Sequence, residues 1–321
     1  IGIGGREMSA PIALGRSVSV RVPATTANLG PGFDTLGMAL TIEDTLQATV
    51  REGSGVHVSV HGVGEGEVPT DETNLIARSM AHAFASKNID MPGIDLIATN
   101  VIPHGRGLGS SGAAIVSGVM AAKGLLEGIV EFTPEELLAL ATDMEGHPDN
   151  IAPSLFGGLT IAWMRDDGPK HKKLSVHRGV SLVVAVPEDA SMSTQLARSL
   201  QPETVPHQDA IFNLSRSALL IAALIQSPEL LFEATEDRLH QDYRASAMKD
   251  TDALLQSLRS AGFAAVVSGA GPSVLILCSD PAQRLEVQKV VDAHQGGVWS
   301  SHMLTVDERG ATVEELPALA D

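Results

Sequence analysis

HGRGLGSSGAAIVSGV, residues 104–119, places Gly105, Gly107 and Gly109 and the serines Ser110 and Ser111 directly ahead of an apolar run. Glycine admits positive φ and lets another group approach the backbone closely. Gly105, Gly107, Gly109 and Gly112 therefore mark tight, irregular chain. Residues 113–126 then predict a helix. Ile115, Val116, Val119, Met120, Leu125 and Leu126 cover most of its circumference, which predicts burial all round. A glycine-rich turn feeding a helix N-terminus leaves backbone N–H groups pointing outward, and the helix dipole favours negative charge there. Such an arrangement suits phosphate, and Ser110 and Ser111 add hydroxyls for phosphate or Mg²⁺. It is not a Walker loop, because no Gly-Lys-Ser/Thr follows. A flexible Gly/Ser connection before a core helix fits the same stretch.

The surrounding chain of 321 residues is long enough for two domains with ample core. Hydrophobic residues make up 44% and charged residues 19%, an ordinary globular balance. Aromatics are only 3%, so Val, Leu, Ile and Ala must build the core. A net charge of −17 argues against a general nucleic-acid or anionic-membrane surface. An anionic substrate needs a local positive site to offset that field. The single cysteine, Cys278, lies in the apolar run SVLILC and reads as a buried strand thiol rather than a nucleophile. No secretory signal and no apolar run of about 18 residues is apparent, so the expected location is the cytoplasm. Residues 1–8, IGIGGREM, are poor in pattern and read as a leader or an expression remnant.

Strands are predicted over 18–22, 47–50, 56–60, 94–98 and 159–163. A helix over 75–87 sets Ile76, Met80, Ala83 and Phe84 on one face. Thr133-Pro134-Glu135-Glu136 is a capping box with proline at the first helical position. The polar stretch 164–173, MRDDGPKHKK, reads as the junction between an N-terminal domain, 1–168, and a C-terminal domain, 169–321. Beyond it come a strand over 181–186, a long helix near 209–226, a helix near 250–261 ending at Gly262, and a strand–turn–strand unit. Strands and helices mix in both halves, so the fold class is α+β.

Three further stretches concentrate polar residues. VPATTANLGPGFDTLGMAL, residues 22–40, follows a strand and gathers Asn28, Gly30, Gly32 and Asp34 in a loop. Each of these types also favours ordinary turns. MEGHPDNIAPSLFGGL, residues 144–159, sets Glu145, His147, Asp149 and Asn150 just after a helix. This is an acid/base or metal candidate, or a polar corner. His147 has no second histidine at zinc-ligand spacing, which argues against structural zinc. SGAGPS, residues 268–273, is a Gly-rich turn between apolar strands.

In that order the four stretches resemble the GHMP kinases, the superfamily of galactokinase, homoserine kinase, mevalonate kinase and phosphomevalonate kinase. That family carries an N-terminal substrate loop, a Pro-x-x-x-Gly-Leu-Gly-Ser-Ser phosphate loop and a C-terminal Gly-rich loop. The phosphate loop here reads PHGRGLGSSG from Pro103. Within the family, residues 23–40, 145–159, STQLAR (193–198) and LHQDYR (239–244) are most similar to the homoserine-kinase branch. Thr25 and Thr26 stand where serines are common, Gly112 where alanine is usual, and Asp242 where proline is frequent.

The resemblance implies a two-domain fold, with an N-terminal half like ribosomal protein S5 and a ferredoxin-like C-terminal half. It implies ATP-dependent phosphorylation of L-homoserine to O-phospho-L-homoserine, on the way to threonine, by a cytoplasmic homodimer. Pro103, Gly105, Arg106, Gly107, Leu108, Gly109, Ser110, Ser111 and Gly112 would cradle ATP, with Asn74 at the adenine or as a plain helix cap. Ser110 and Glu145 would hold Mg²⁺, a hard ion that prefers oxygen. Asp34 would take the substrate ammonium. Arg198 and Arg244 would take its carboxylate with fork-shaped donors. Asn28, His147, Thr194 and Gly271 would complete the pocket. Asn150 would orient the attacking hydroxyl, and Asp149 is either a general base or structural. A loose phosphoryl-transfer transition state needs little help from a base, which favours the structural role. The alternatives are a mevalonate- or phosphomevalonate-type kinase and a non-catalytic ATP-binding paralogue.

Overall fold

The computed structural model describes residues 12–317, so the stretch 1–8 lies outside the described residues. The first part of the chain runs β1 (Ser17–Ala27), β2 (Leu36–Arg51), β3 (Val56–Gly62), α1 (Leu75–Ser86), β4 (Gly93–Asn100), α2 (Ser110–Leu125), α3 (Pro134–Glu145), α4 (Ile151–Phe156), β5 (Leu159–Arg165) and β6 (Gly168–Leu174). There follow β7 (Ser181–Pro187), α5 (Thr194–Ser199), α6 (His207–Ile225), α7 (Leu231–Ala234), α8 (Gln241–Arg244) and α9 (Lys249–Ser260). The chain closes with β8 (Ala264–Val267), β9 (Val274–Cys278), α10 (Gln283–Ala293), β10 (Trp299–Leu304) and β11 (Thr312–Leu316).

One sheet has the order β11-β1-β2-β4-β3, with β5 paired to β2 and β6 to β5. Its β3–β4 pairing is parallel and the rest are antiparallel. Along β2, Asp44, Leu46, Ala48 and Val50 are buried and alternate with more exposed residues, the period of a half-covered strand. The second sheet, β10-β7-β9-β8, is antiparallel throughout. Its chain order, strand–helices–strand–strand–helix–strand, is the ferredoxin-like one. The α+β class is therefore observed.

The helix after the Gly-rich stretch is buried along nearly its whole length, as its all-round apolar pattern predicts. α3 carries the capping box, with Thr133 accepting from Glu136 N and the Glu136 side chain accepting from Thr133 N. Cys278 is fully buried on β9, and burial pushes its thiol up to about 11.

The loop that gathers Asn28, Gly30, Gly32 and Asp34 is observed between Ala27 and Leu36, and residues 24–27 and 37–40 on either side of it pair as strand. Two expectations need correction. The polar stretch 164–173 is no junction but the β5–β6 hairpin, inside the first sheet. It reads as a linker because β6 is an edge strand of polar composition with Lys172 exposed, and charge on an edge is a common way to protect it. A division at residue 168 therefore cuts through a hairpin, and β11 returns the chain's end to the first sheet. Lastly, α6 is, by length and composition alone, long and apolar enough to cross a membrane. Its Leu220, Ala223 and Leu224 are core, and its Asn213 and Ser217 donate to Pro31 O.

The α1–α2 crossing depends on Gly118, where a Cβ would lie 2.3 Å from Ile76 O and 2.9 Å from Met80 N. Alanine is the better helix former by about 1 kcal/mol. Overpacking against backbone costs about 1–3 kcal/mol, so contact should win. Gly118→Ala is expected to lower the unfolding free energy measured in urea. A gain in stability would show that α1 yields freely. Cys278 should resist thiol reagents in the native protein and react fully once unfolded. Native-state labelling at the rate of a free peptide thiol would contradict its placement.

Candidate active site

Gly105, Gly107 and Gly109 all take positive φ, at 64°, 76° and 71°. Gly109 is the N-cap of α2 in the left-handed conformation, and no side chain caps the helix. The first N–H groups of α2 are thus left for an external acceptor. The glycines are also required by what surrounds them. A Cβ on Gly107 would sit 2.2 Å from Ser268 O, and one on Gly109 would sit 2.0 Å from Thr25 Oγ1. Ser268 Oγ donates to Gly107 O at 2.7 Å, Thr25 N to Leu108 O at 3.0 Å, and Thr25 Oγ1 to Asn150 Oδ1 at 2.8 Å. Three of the four polar stretches therefore interlock with the phosphate loop. Leu108 is its buried anchor. The Arg106 guanidinium does not face the loop's interior but donates to Pro187 O and Glu188 O at the end of β7. Gly112 lies inside α2, where a Cβ would make ordinary contact with Ile151 at 3.5 Å, so alanine fits there. Residues 107–112 have Gly-x-Gly-x-x-Gly spacing. A dinucleotide fold joins strand to helix directly through that turn, whereas here residues 101–109 separate β4 from α2.

Beside the loop a cavity of about 230 Å³ opens between β2, β4 and the helices α1 and α2. Leu46, Val60, Val68, Leu75, Ala98 and Ala114 give it apolar walls, and Ser110 and Ser111 stand in its lining. The mostly apolar lining with a few polar groups suits a nucleoside beside its phosphates. Asn74 lines it too, but both ends of its amide are committed. Oδ1 accepts from Ile76 N at 2.9 Å, capping α1, and Nδ2 donates to Pro69 O at 2.7 Å. The strand residues of this cavity were not read from sequence, because strand pairing rather than any motif assembles them.

Glu145 ends α3. Its Oε2 accepts from Ser111 Oγ at 2.8 Å, so Ser111 rather than Ser110 meets the carboxylate. Burial, with the Asp149 charge adding, raises the Glu145 carboxyl above its ordinary range against the pull of Ser111 and His147. Among the described residues it has no ion pair. Next to it, His147 Nδ1 and Asp149 Oδ1 form a short hydrogen bond. Burial opposes the His147 imidazolium, yet Asp149 and Glu145 outweigh it and raise its pKa. Asp149 is buried, and its carbonyl packs on Gly37, where a Cβ would lie 2.0 Å away. Asn150 Oδ1 is held by Thr25, while its Nδ2 has no partner among the described residues.

On the other side of the cleft lie the charged candidates. Of the four non-glycine residues at positive φ among the described residues, three belong to one loop: Asn28, Leu29 and Asp34. Such backbone persists only where its surroundings over-determine it. Asn28 supplies the constraint. Its Nδ2 donates to Gly269 O at 2.9 Å and its Oδ1 accepts from Asp34 N at 3.0 Å, so it positions the loop with both ends of its amide. Asp34 and Arg198 were assigned opposite ends of a zwitterion; here they meet each other. The pair is bidentate, at 3.0 and 3.2 Å, and partly exposed.

Arg244 is different. It is 3% exposed, and Nη1 donates to Gly269 O at 3.1 Å. With the Gln201 amide turned to satisfy its neighbours, Arg244 Nε donates to it at 3.0 Å. The Phe33 ring lies 5.3 Å from the guanidinium carbon. Burial lowers its pKa, and Asp34, Asp237 and Asp149 only partly offset that. Among the described residues no carboxylate pairs with it. Asp242, the departure from the family pattern, is exposed and forms no ion pair with it. Gly271 packs on Gly107, with its N and O each 3.0 Å from where a Cβ there would be. Thr194 is exposed in the first turn of α5, behind its N-cap Ser193, and its side chain makes no hydrogen bond to another described residue.

Comparison with known proteins identifies the family. The family model described as GHMP kinases N terminal domain matches residues 74–158, and GHMP kinases C terminal matches residues 219–296. Homoserine kinase of Leifsonia xyli subsp. xyli is 66% identical over 302 residues, covering 94% of this chain and 93% of its own. That of Clavibacter michiganensis subsp. michiganensis is 66% identical over 307 residues, covering 96% and 97%. The crystal structure of homoserine kinase from Cytophaga hutchinsonii superposes with a TM-score of 0.82 at 27% identity, over 93% of this chain and 97% of that one. With both family models in place and two-thirds identity maintained across almost the whole length, this chain belongs to the homoserine kinases of the GHMP kinase family.

Proposed function

We propose that the chain transfers the γ-phosphoryl group of ATP to the side-chain hydroxyl of L-homoserine, giving O-phospho-L-homoserine for threonine synthesis. The observation that carries this reading is Arg244: a buried guanidinium without a counter-ion, across the cleft from a phosphate loop. A buried charge is costly unless paired, and the substrate carboxylate supplies the pair. Asp34 beside it suits an ammonium, so the cluster matches a zwitterion. Mevalonate, a monoanion, has no ammonium to add to the Asp34–Arg198 pair. Phosphomevalonate is anionic at both ends and would need more cations than Arg198 and Arg244. A non-catalytic paralogue is disfavoured because Glu145, both serines and the phosphate-loop glycines are all present.

In this reading the loop 105–112 and the α2 N-terminus bind the phosphates. Glu145, Ser111 and Ser110 form an all-oxygen donor set, and the desolvated Glu145 carboxylate has no ion pair among the described residues, which fits Mg²⁺. When bound, Mg²⁺ neutralises phosphate oxygens as charge develops. Asn150 Nδ2 orients the attacking hydroxyl. Asp149 is committed to His147, which supports a positioning role over that of a base, and a loose transition state asks for little proton abstraction.

A coupled assay of ADP release against L-homoserine, mevalonate, phosphomevalonate and galactose tests the reading. Turnover is expected with L-homoserine alone, and preference for any other acceptor would overturn it. Arg244→Met, which removes a buried cation but keeps the length, should leave the thermal midpoint equal or higher. It should also cut kcat/KM for homoserine by about 30- to 1,000-fold through KM, with KM for ATP unchanged. A large loss of stability with homoserine KM intact would make Arg244 structural. Glu145→Gln can keep the Ser111 bond yet should raise the Mg²⁺ concentration needed for half-maximal rate at least tenfold. An unchanged Mg²⁺ requirement would remove Glu145 from the metal set.

A further inference from the structure

Asp44 lies on β2 with its side chain on the helix-facing side of the first sheet, and it is 8% exposed. Its Oδ1 accepts from Val101 N at 2.6 Å and from Ile102 N at 2.9 Å. Its other oxygen, Oδ2, has no hydrogen-bond partner among the described residues. The residue lines the cavity beside the phosphate loop, among mostly apolar walls. Burial raises its carboxyl above the ordinary range, against the pull of the two N–H bonds and the His104 charge. Holding two N–H groups does not require a carboxylate; a neutral amide oxygen would do it without desolvating a charge. Oδ2 is accessible from the cavity and free to accept from whatever fills it.

We infer that Asp44 selects the nucleotide: its Oδ2 accepts a hydrogen bond from a donor on the nucleoside half of ATP. This rests on the ATP-dependent reading above. The choice of donors is short, because a neutral adenosine offers only the 6-amino group of the base and the 2′- and 3′-hydroxyls of the ribose. Asn74 cannot take this part, since both ends of its amide are engaged by Ile76 and Pro69.

The test is calorimetric binding of ADP, IDP, 2′-deoxy-ADP and 3′-deoxy-ADP to the wild type and to Asp44→Asn, without homoserine. Asparagine keeps an oxygen for Val101 and Ile102 and puts a donor where Oδ2 stood. The wild type should bind ADP at least tenfold more tightly than one of the analogues. Loss against IDP identifies the 6-amino group as the donor, and loss against a deoxy analogue identifies a hydroxyl. In Asp44→Asn, ADP should weaken by roughly ten- to hundredfold, the usual effect of losing a charged hydrogen bond, and the discrimination should collapse to about twofold. If the 6-amino group is the donor, IDP should now bind better than ADP, because its 6-oxo group accepts. Equal wild-type affinity for all four nucleotides overturns the inference, whether or not the variant folds. So does a folded variant that keeps the wild-type discrimination. A wild type that binds none of the four overturns the ATP reading itself.

Discussion

No side chain fits at residue 107. A Cβ there would reach within 2.2 Å of Ser268 O, so the phosphate loop and the turn between β8 and β9 are pressed backbone to backbone. The same turn then fixes the opposite wall of the cleft. Gly269 O accepts from both Asn28 and Arg244, and Asn28 in turn holds the amide of Asp34. One short turn thus indexes a phosphate site built by the first sheet and its helices against a charged cluster drawn from both halves of the chain. In-line phosphoryl transfer depends on placing donor and acceptor together, and in the proposed function this contact sets that placement.

The cations of the cluster are unequal. The Asp34–Arg198 pair is partly exposed, and exposed pairs contribute about 0–1 kcal/mol. It sets the shape of the mouth more than its affinity. Arg244 is buried with only carbonyl, amide and ring contacts. In a chain with a net charge of −17, an unpaired buried guanidinium is a local reversal of field, and a carboxylate entering the cleft gains most from it. In the proposed function, fold stability and substrate binding pull in opposite directions at this one residue.

The sequence displays the local parts of this account and hides the long-range ones. Glycines 105, 107 and 109, the capping box at Thr133 and the thiol of Cys278 are legible because each follows from neighbours along the chain. The hairpin over 164–173 misleads because an edge strand facing water has the composition of a linker. Asp34 and Arg198 are recognisable as charged candidates, but 164 positions separate them, and no periodicity shows that they meet. Asp44 is hidden for the same reason: its partners lie 57 and 58 positions away, brought close by strand pairing. Ser111 and Ser110 are indistinguishable in a run of small polar residues until the helix phase turns one of them toward Glu145.

The central claim is that the missing counter-ion of Arg244 is the carboxylate of an amino-acid substrate. Calorimetric titration of L-homoserine and of L-homoserine amide into the ADP-bound wild-type protein tests it without altering the chain. The amide keeps the hydroxyl and the ammonium and loses only the negative charge. The account predicts that it binds at least about 30-fold more weakly than L-homoserine, as expected for loss of a desolvated charge-assisted contact. Equal affinity for the two would contradict it.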